Sequence, residues 1–183
     1  MSAQSPLALE RRAFQEVRQV GRRLEGYAAK FGSEAQIGSY REMIAPGAFS
    51  ASLAGDVLAL MDHSPLIVLG RTKSRTLRLS EDSQGLAFSL DVPDTQPGRD
   101  VLALAERGDL GGMSFGFTVA DGGETWAGDR RLLRLIMLRE ISVVSAWPAY
   151  PDTEIAVRSQ CEAALNRGRR ARRLAMMESG IWA

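Results

Sequence analysis

Ser114 stands in the run Gly111-Gly112-Met113-Ser114-Phe115-Gly116-Phe117, flanked by glycines and aromatics. The run reads as the start of a strand. Alternation then places Phe115 and Phe117 on one face, and Ser114, Gly116 and Thr118 on the other. Glycines beside a serine let another backbone approach the hydroxyl, which suits a nucleophile that a peptide must reach. The same residues also suit a bulged or bent barrel strand whose serine bonds its neighbours. A serine needs a base, and histidine is the usual one because it titrates near working pH. The chain has a single histidine, His63, at the end of the apolar run Val57-Leu58-Ala59-Leu60-Met61. A third group must hold the imidazole's tautomer. Glu140, inside a strongly apolar run, shares strand parity with Ile136, Leu138 and Ser142 and is expected to point to the core side. A carboxylate there is costly unless paired, and His63 would supply the pairing. Asp62 adjoins His63 but points to the opposite face if the strand continues, so it is the weaker third member. Two bland readings stand beside these: His63 as a surface histidine at a strand end, and Glu140 as a strand-end charge with a structural partner.

Composition limits the other chemistries. The 183 residues suffice for one domain with a sizeable core and an appended tail. Lys+Arg is 23 and Asp+Glu 22, so the net charge of +1 gives no global argument for nucleic acid. One cysteine, Cys161, precludes an intrachain disulfide, fits a reducing compartment and excludes a cysteine-rich zinc site. It reads as a small helical residue. One histidine excludes a metal site built on several. Asp91 and Asp94, near Pro93, read as turn formers rather than ligands. No metal and no cofactor is expected. No apolar stretch is long enough for a signal peptide or a membrane span. Arg167, Arg169, Arg170, Arg172 and Arg173 read as a solvated helix face; nucleic-acid binding is disfavoured because no stacking platform accompanies them.

The elements that must position Ser114, His63 and Glu140 are mostly short strands. One or two are expected over 14–31, a partner over 37–44, and a buried strand over 57–61. The pair 75–79 and 86–92, around the turn Glu81–Gly85, is the clearest hairpin. Pro46 suits the first turn of a short helix. A helix over 100–107 stops at Gly108. The serine strand runs to about Ala120, a long apolar strand covers 132–138, and a further apolar piece covers 141–144. A C-terminal helix starts near Asp152-Thr153-Glu154. The organisation expected is a flexible lead-in over 1–13, a domain over 14–158 and a basic helical tail over 159–183. The strand spacing favours a barrel over a doubly wound sheet.

In order along the chain, several pieces resemble the tailed-phage prohead (capsid maturation) serine proteases. They are Arg41 to Phe49, Asp62-His63, Gly70 with the hairpin Leu77 to Leu90, Arg107-Gly108-Asp109-Leu110, Met113 to Phe117, Glu140 to Val144, and Pro148-Ala149-Tyr150. They span roughly 20–158. The resemblance implies an α+β, herpesvirus-protease-like β-barrel surrounded by helices. It implies a serine endopeptidase that removes scaffold or capsid-precursor segments inside the immature procapsid in the host cytoplasm, and cuts itself. Carried over by position, Ser114 is the nucleophile, His63 the base and Glu140 the third member. Ser145-Ala146-Trp147 makes this chain one residue longer than the family pattern before Pro148, so no oxyanion donors are assigned. The implied partner is the major capsid protein precursor or its scaffold segment, with a homodimer through the C-terminal helix by analogy. The competing class is a non-catalytic capsid-assembly protein that keeps the barrel.

Overall fold

Apolar residues at every second position, Leu86, Phe88 and Leu90 opposite Leu77 and Leu79, make a strand pair with one buried face. The computed structural model describes residues 9–14 and 17–145, and strands built on this alternation dominate it. In chain order they are β1 (Glu10–Phe14), β2 (Val17–Val20), β3 (Arg23–Lys30), β4 (Ala35–Ile37), β5 (Tyr40–Ile44), β6 (Leu58–Met61), β7 (Ser64–Arg71), β8 (Leu77–Glu81) and β9 (Gly85–Asp91). After the helix α1 (Gln96–Arg107) come β10 (Gly112–Val119), β11 (Glu124–Ala127), β12 (Arg130–Leu133) and β13 (Ile136–Val144). Three sheets result, ordered β1-β10-β13-β6-β7, β11-β12-β5-β4 and β2-β3-β9-β8.

The expected helix-surrounded barrel is not what forms. Each sheet is open, with two edge strands, and among the described residues α1 is the one α-helix. Strand spacing and glycine turns serve open and closed sheets equally, because closure depends on which first and last strands pair, not on their local pattern. Instead, one apolar cluster joins the three sheets, drawing Leu24, Ile44, Leu86, Phe115, Leu133 and Ile141 together. Phe115 stacks on Phe117 at 5.3 Å and meets Phe49 edge-on at 5.6 Å.

The helix over 100–107 starts earlier than its apolar spacing suggests. Thr95 caps it by accepting from the Gly98 amide, Pro97 fits the first turn, and Gly108 ends it in the left-handed region at φ 74°. Pro46 leads only to turns and a 3₁₀ segment, Ser50–Ser52. Glu81 stabilises that bend by accepting from the Phe49 amide (3.0 Å) and the Ser50 hydroxyl (2.7 Å). The apolar run 132–138 is not one strand: it breaks at Arg134-Leu135, and β13 continues through Arg139-Glu140. The C-terminal helix, the arginine-rich tail, Cys161 and the dimer contact assigned to that helix lie outside the described residues.

β1 begins at Glu10, inside the segment read as a lead-in. It is held by buried ion pairs that local sequence does not reveal. Arg12 grips Glu42 with two hydrogen bonds of 2.6 and 2.8 Å and lies 5.4 Å from the centre of the Phe117 ring. Arg131 donates to Glu10, Glu42 and Glu124. Burial opposes the charge of Arg131, but these carboxylates outweigh it and raise its pKa. The same balance, with burial opposed by Arg131 and Arg12, lowers the pKa of Glu10.

Candidate active site

His63 owes its position to a tight turn. Met61 pairs with Ser64, so Asp62 and His63 are the two central residues of the β6–β7 hairpin, at φ 49° and 58°. Both are left-handed, as a type I′ turn requires. Side chains other than glycine enter this region at about 1 kcal/mol each, with Asp and His among those that tolerate it best. Asp62 offsets that cost. It accepts from the Ser145 amide (2.9 Å) and hydroxyl (2.6 Å), and its own amide donates to the Val143 carbonyl (2.9 Å). Asp62 therefore pins the turn to the end of β13, and His63 is the residue that turns back over the sheet.

Glu140 meets it there. His63 Nδ1 lies 2.6 Å from Glu140 Oε1, and Ser142 Oγ donates to Glu140 Oε2 at 2.6 Å. A carboxylate only accepts, so Nδ1 carries the proton and Nε2 is free to accept one. Glu140 is 6% exposed and Ser142 is fully buried, which strengthens both bonds. The route to this pairing differs from the parity expected. Phe117 registers with Leu138 but Gly116 with Glu140, so Arg139 is an extra residue, a β-bulge. The bulge reverses the alternation: Leu138 and Ile141 both join the core, and Glu140 and Ser142 move to the opposite face. Without it, Glu140 would share the apolar face of Leu138. Ser52 holds the strand just before the bulge, accepting from the Leu138 amide (2.8 Å) and donating to the Ile136 carbonyl (2.6 Å). Beyond it, β13 pairs with β6 instead.

Ser114 lies on this same face, directly in register with Ser142. It is 1% exposed, and its hydroxyl has no hydrogen-bond partner. The structure thus brings His63 to Glu140 and places Ser114 on their face, without a hydrogen bond between Ser114 and His63. Catalytic hydrogen bonds are commonly loose before substrate arrives.

The sequence reading missed Arg11 and the contacts that Gly116 and Ser142 make at the site. Gly116 is needed by Glu140, not by an approaching backbone: a Cβ there would overlap Oε1 and stand 3.0 Å from the carboxyl carbon. Ser142 was visible only as a residue of matching parity, although serine two places from a buried carboxylate on a strand is a usable signal. Arg11 pairs with Gly116 across β1 and β10, and its Nε lies 4.0 Å from Glu140 Oε1. It sits in a segment whose polar composition suggested no order at all. Asp91 and Asp94 are engaged by arginines, Arg23 and Arg78 for the first and Arg99 for the second. Among the described residues no group of His, Cys, Asp or Glu is arranged to hold a metal ion, and no helix is long and apolar enough to cross a membrane.

The family model of the caudovirus prohead serine proteases matches residues 8–167, a span that includes every strand among the described residues together with His63, Ser114 and Glu140. No curated protein and no solved structure matches the chain.

Proposed function

The chain belongs to the caudovirus prohead serine protease family, and on that premise we propose that Ser114, His63 and Glu140 form its catalytic triad. Ser114 Oγ attacks the scissile carbonyl carbon. His63 Nε2 takes the hydroxyl proton and returns it to the leaving amine, and Glu140 holds the imidazole and stabilises its cationic form. The observation that carries this reading is the 2.6 Å contact between His63 Nδ1 and Glu140 Oε1, on the sheet face that also holds Ser114. A buried carboxylate paired with the chain's single histidine, beside a buried serine with no partner, has a ready use in acyl transfer.

The substrates proposed are segments of the capsid precursor or its scaffold, inside the procapsid, with self-cleavage in addition. The globular unit proposed runs from β1 to about residue 158, followed by the basic tail. The test is the intact mass of chain and capsid precursor after co-expression, for wild type and Ser114→Ala. Truncation in the wild type that disappears in the variant is the expected result. Identical masses with normal assembly would overturn the protease reading in favour of an assembly role.

A further inference from the structure

An acyl-transfer site must hold the negative charge that appears on the substrate's carbonyl oxygen when its carbon is attacked. Backbone amides beside the nucleophile often do this, and here they are committed. β10 is an interior strand, in register around Ser114 with β1 on one side and β13 on the other. The N–H groups of such a strand lie in the plane of the sheet, where its two ladders take them, and not on the face that carries the hydroxyl. Gly111, just ahead of β10, spends its amide on the Val144 carbonyl at 2.8 Å. A donor for that face has to be a side chain.

Ser142 already gives its hydroxyl to Glu140, and His63 Nδ1 is turned to the same carboxylate. Thr118 lies four residues along β10 from Ser114, about 13 Å away. Arg11 is better placed. It is the registered partner of Gly116, two residues from Ser114, which makes it the diagonal neighbour of Ser114 across β1 and β10. Diagonal neighbours stand about 7–8 Å apart, within reach of a long side chain. β1 is an edge strand, so Arg11 enters the face from its rim, and Gly116 puts no side chain in its way. Its Nε lies 4.0 Å from Glu140 Oε1, the oxygen that His63 Nδ1 also approaches, yet is buried without a hydrogen bond. The side chain as a whole is 39% exposed. A guanidinium carries five donors and a positive charge, and among the described residues Arg11 donates none of them.

We propose that Arg11 is the cation that stabilises the oxyanion. The proposal rests on Ser114 being the nucleophile. As Ser114 Oγ bonds to the carbonyl carbon, the carbonyl π pair moves onto oxygen and the hydroxyl proton passes to His63 Nε2. Glu140 then answers the imidazolium and Arg11 answers the oxyanion, so the face stays neutral. When the C–N bond breaks, the pair on oxygen re-forms the carbonyl and the amine leaves with the proton from His63. Arg11 gives up no proton and takes none. Before the attack Arg11 meets only a carboxylate whose oxygens are already engaged by His63 and Ser142. Its hydrogen bonds are therefore made in the transition state and not in the ground state, which is the condition for raising kcat.

The experiment uses the full chain in two assays, cleavage of purified capsid precursor and the rate at which a fluorophosphonate labels Ser114. Arg11→Met should lower kcat by about 10²–10³-fold with KM within about threefold, and slow labelling by a comparable factor. Its urea midpoint should match wild type. Arg11→Lys keeps the charge without the fork and should recover about tenfold of the loss or more. In a Glu140→Gln background, Arg11→Met should slow labelling by about the same factor as in the wild type, because the oxyanion is reached directly. A factor that vanishes in that background would overturn the proposal and make Arg11 a residue that acts only through Glu140. So would an unchanged kcat, a change confined to KM, or losses that merely follow a lower urea midpoint. A wild-type chain that takes no label would remove the nucleophile assignment itself, and the role of Arg11 with it.

Discussion

Arg11 and Arg12 are neighbours on β1, and alternation sends them to opposite faces of one sheet. Arg12 enters a saturated cluster. Its guanidinium holds Glu42 through two hydrogen bonds, and Arg131 completes the group by binding Glu10, Glu42 and Glu124. Arg11 faces the other way, toward Glu140, and its Nε is buried without a hydrogen bond. On that face Ser114 Oγ and Thr118 Oγ1 are likewise buried and unbonded. Native proteins rarely leave buried polar atoms unpaired. The contrast separates a polar cluster where each charge is answered from one with unanswered polar atoms, the face on which we propose the chemistry takes place. Burial alone does not distinguish them, since Glu42 and Glu140 are 3 and 6% exposed.

Substitutions on each face should therefore move different observables. The largest expected effect is at Ser114. Ser114→Ala should lower precursor cleavage by at least about 10³-fold while leaving denaturant stability unchanged or slightly raised, because it deletes an unsatisfied buried hydroxyl. A large loss of stability would place Ser114 with the structural cluster instead. Next comes Arg131→Met, which strips three carboxylates of a shared cation. Removing one partner of a buried ionic group costs about 3–5 kcal/mol, read as a lower midpoint in urea. An unchanged midpoint would mean that the saturated cluster does not hold β1.

Gly116→Ala probes the site face more gently. The added methyl must displace the Glu140 carboxylate from His63, and cleavage should fall by about 10²-fold for about 1 kcal/mol of stability. Activity that survives would show that Glu140 is not needed where it lies. The smallest effect is the pH dependence contributed by Glu10 on the structural face. The folded pKa of Glu10 is lowered below 4.5 by Arg131 and Arg12, which overcome its burial. Its contribution is thus fully present above the unfolded value and is lost as pH falls through the folded one. Glu10→Gln should lose stability near neutral pH and show a shallower decline below about pH 4.5 than the wild type. A parallel decline in both proteins would break the assignment.

What the amino-acid order determined by itself is local. The hairpin of β8 and β9 follows from apolar residues at every second position, and the stop of α1 from a glycine able to adopt φ 74°. The residue types for acyl transfer, one histidine and a serine between glycines, are legible without a structure, and so are the ordered pieces shared with the prohead proteases. Tertiary structure decided the rest. The bulge at Arg139 lies where β13 changes partners, from Ser52 to β6, and it puts Glu140 on the face of Ser114 rather than with Leu138. A one-residue shift reverses every side chain beyond it, and no alternation count records where it falls. The left-handed Asp62-His63 turn is maintained by Ser145, 83 positions away in the chain. Whether the sheets close is likewise settled by which distant strands pair, so a strand pattern that suits a barrel can instead yield three open sheets around one core.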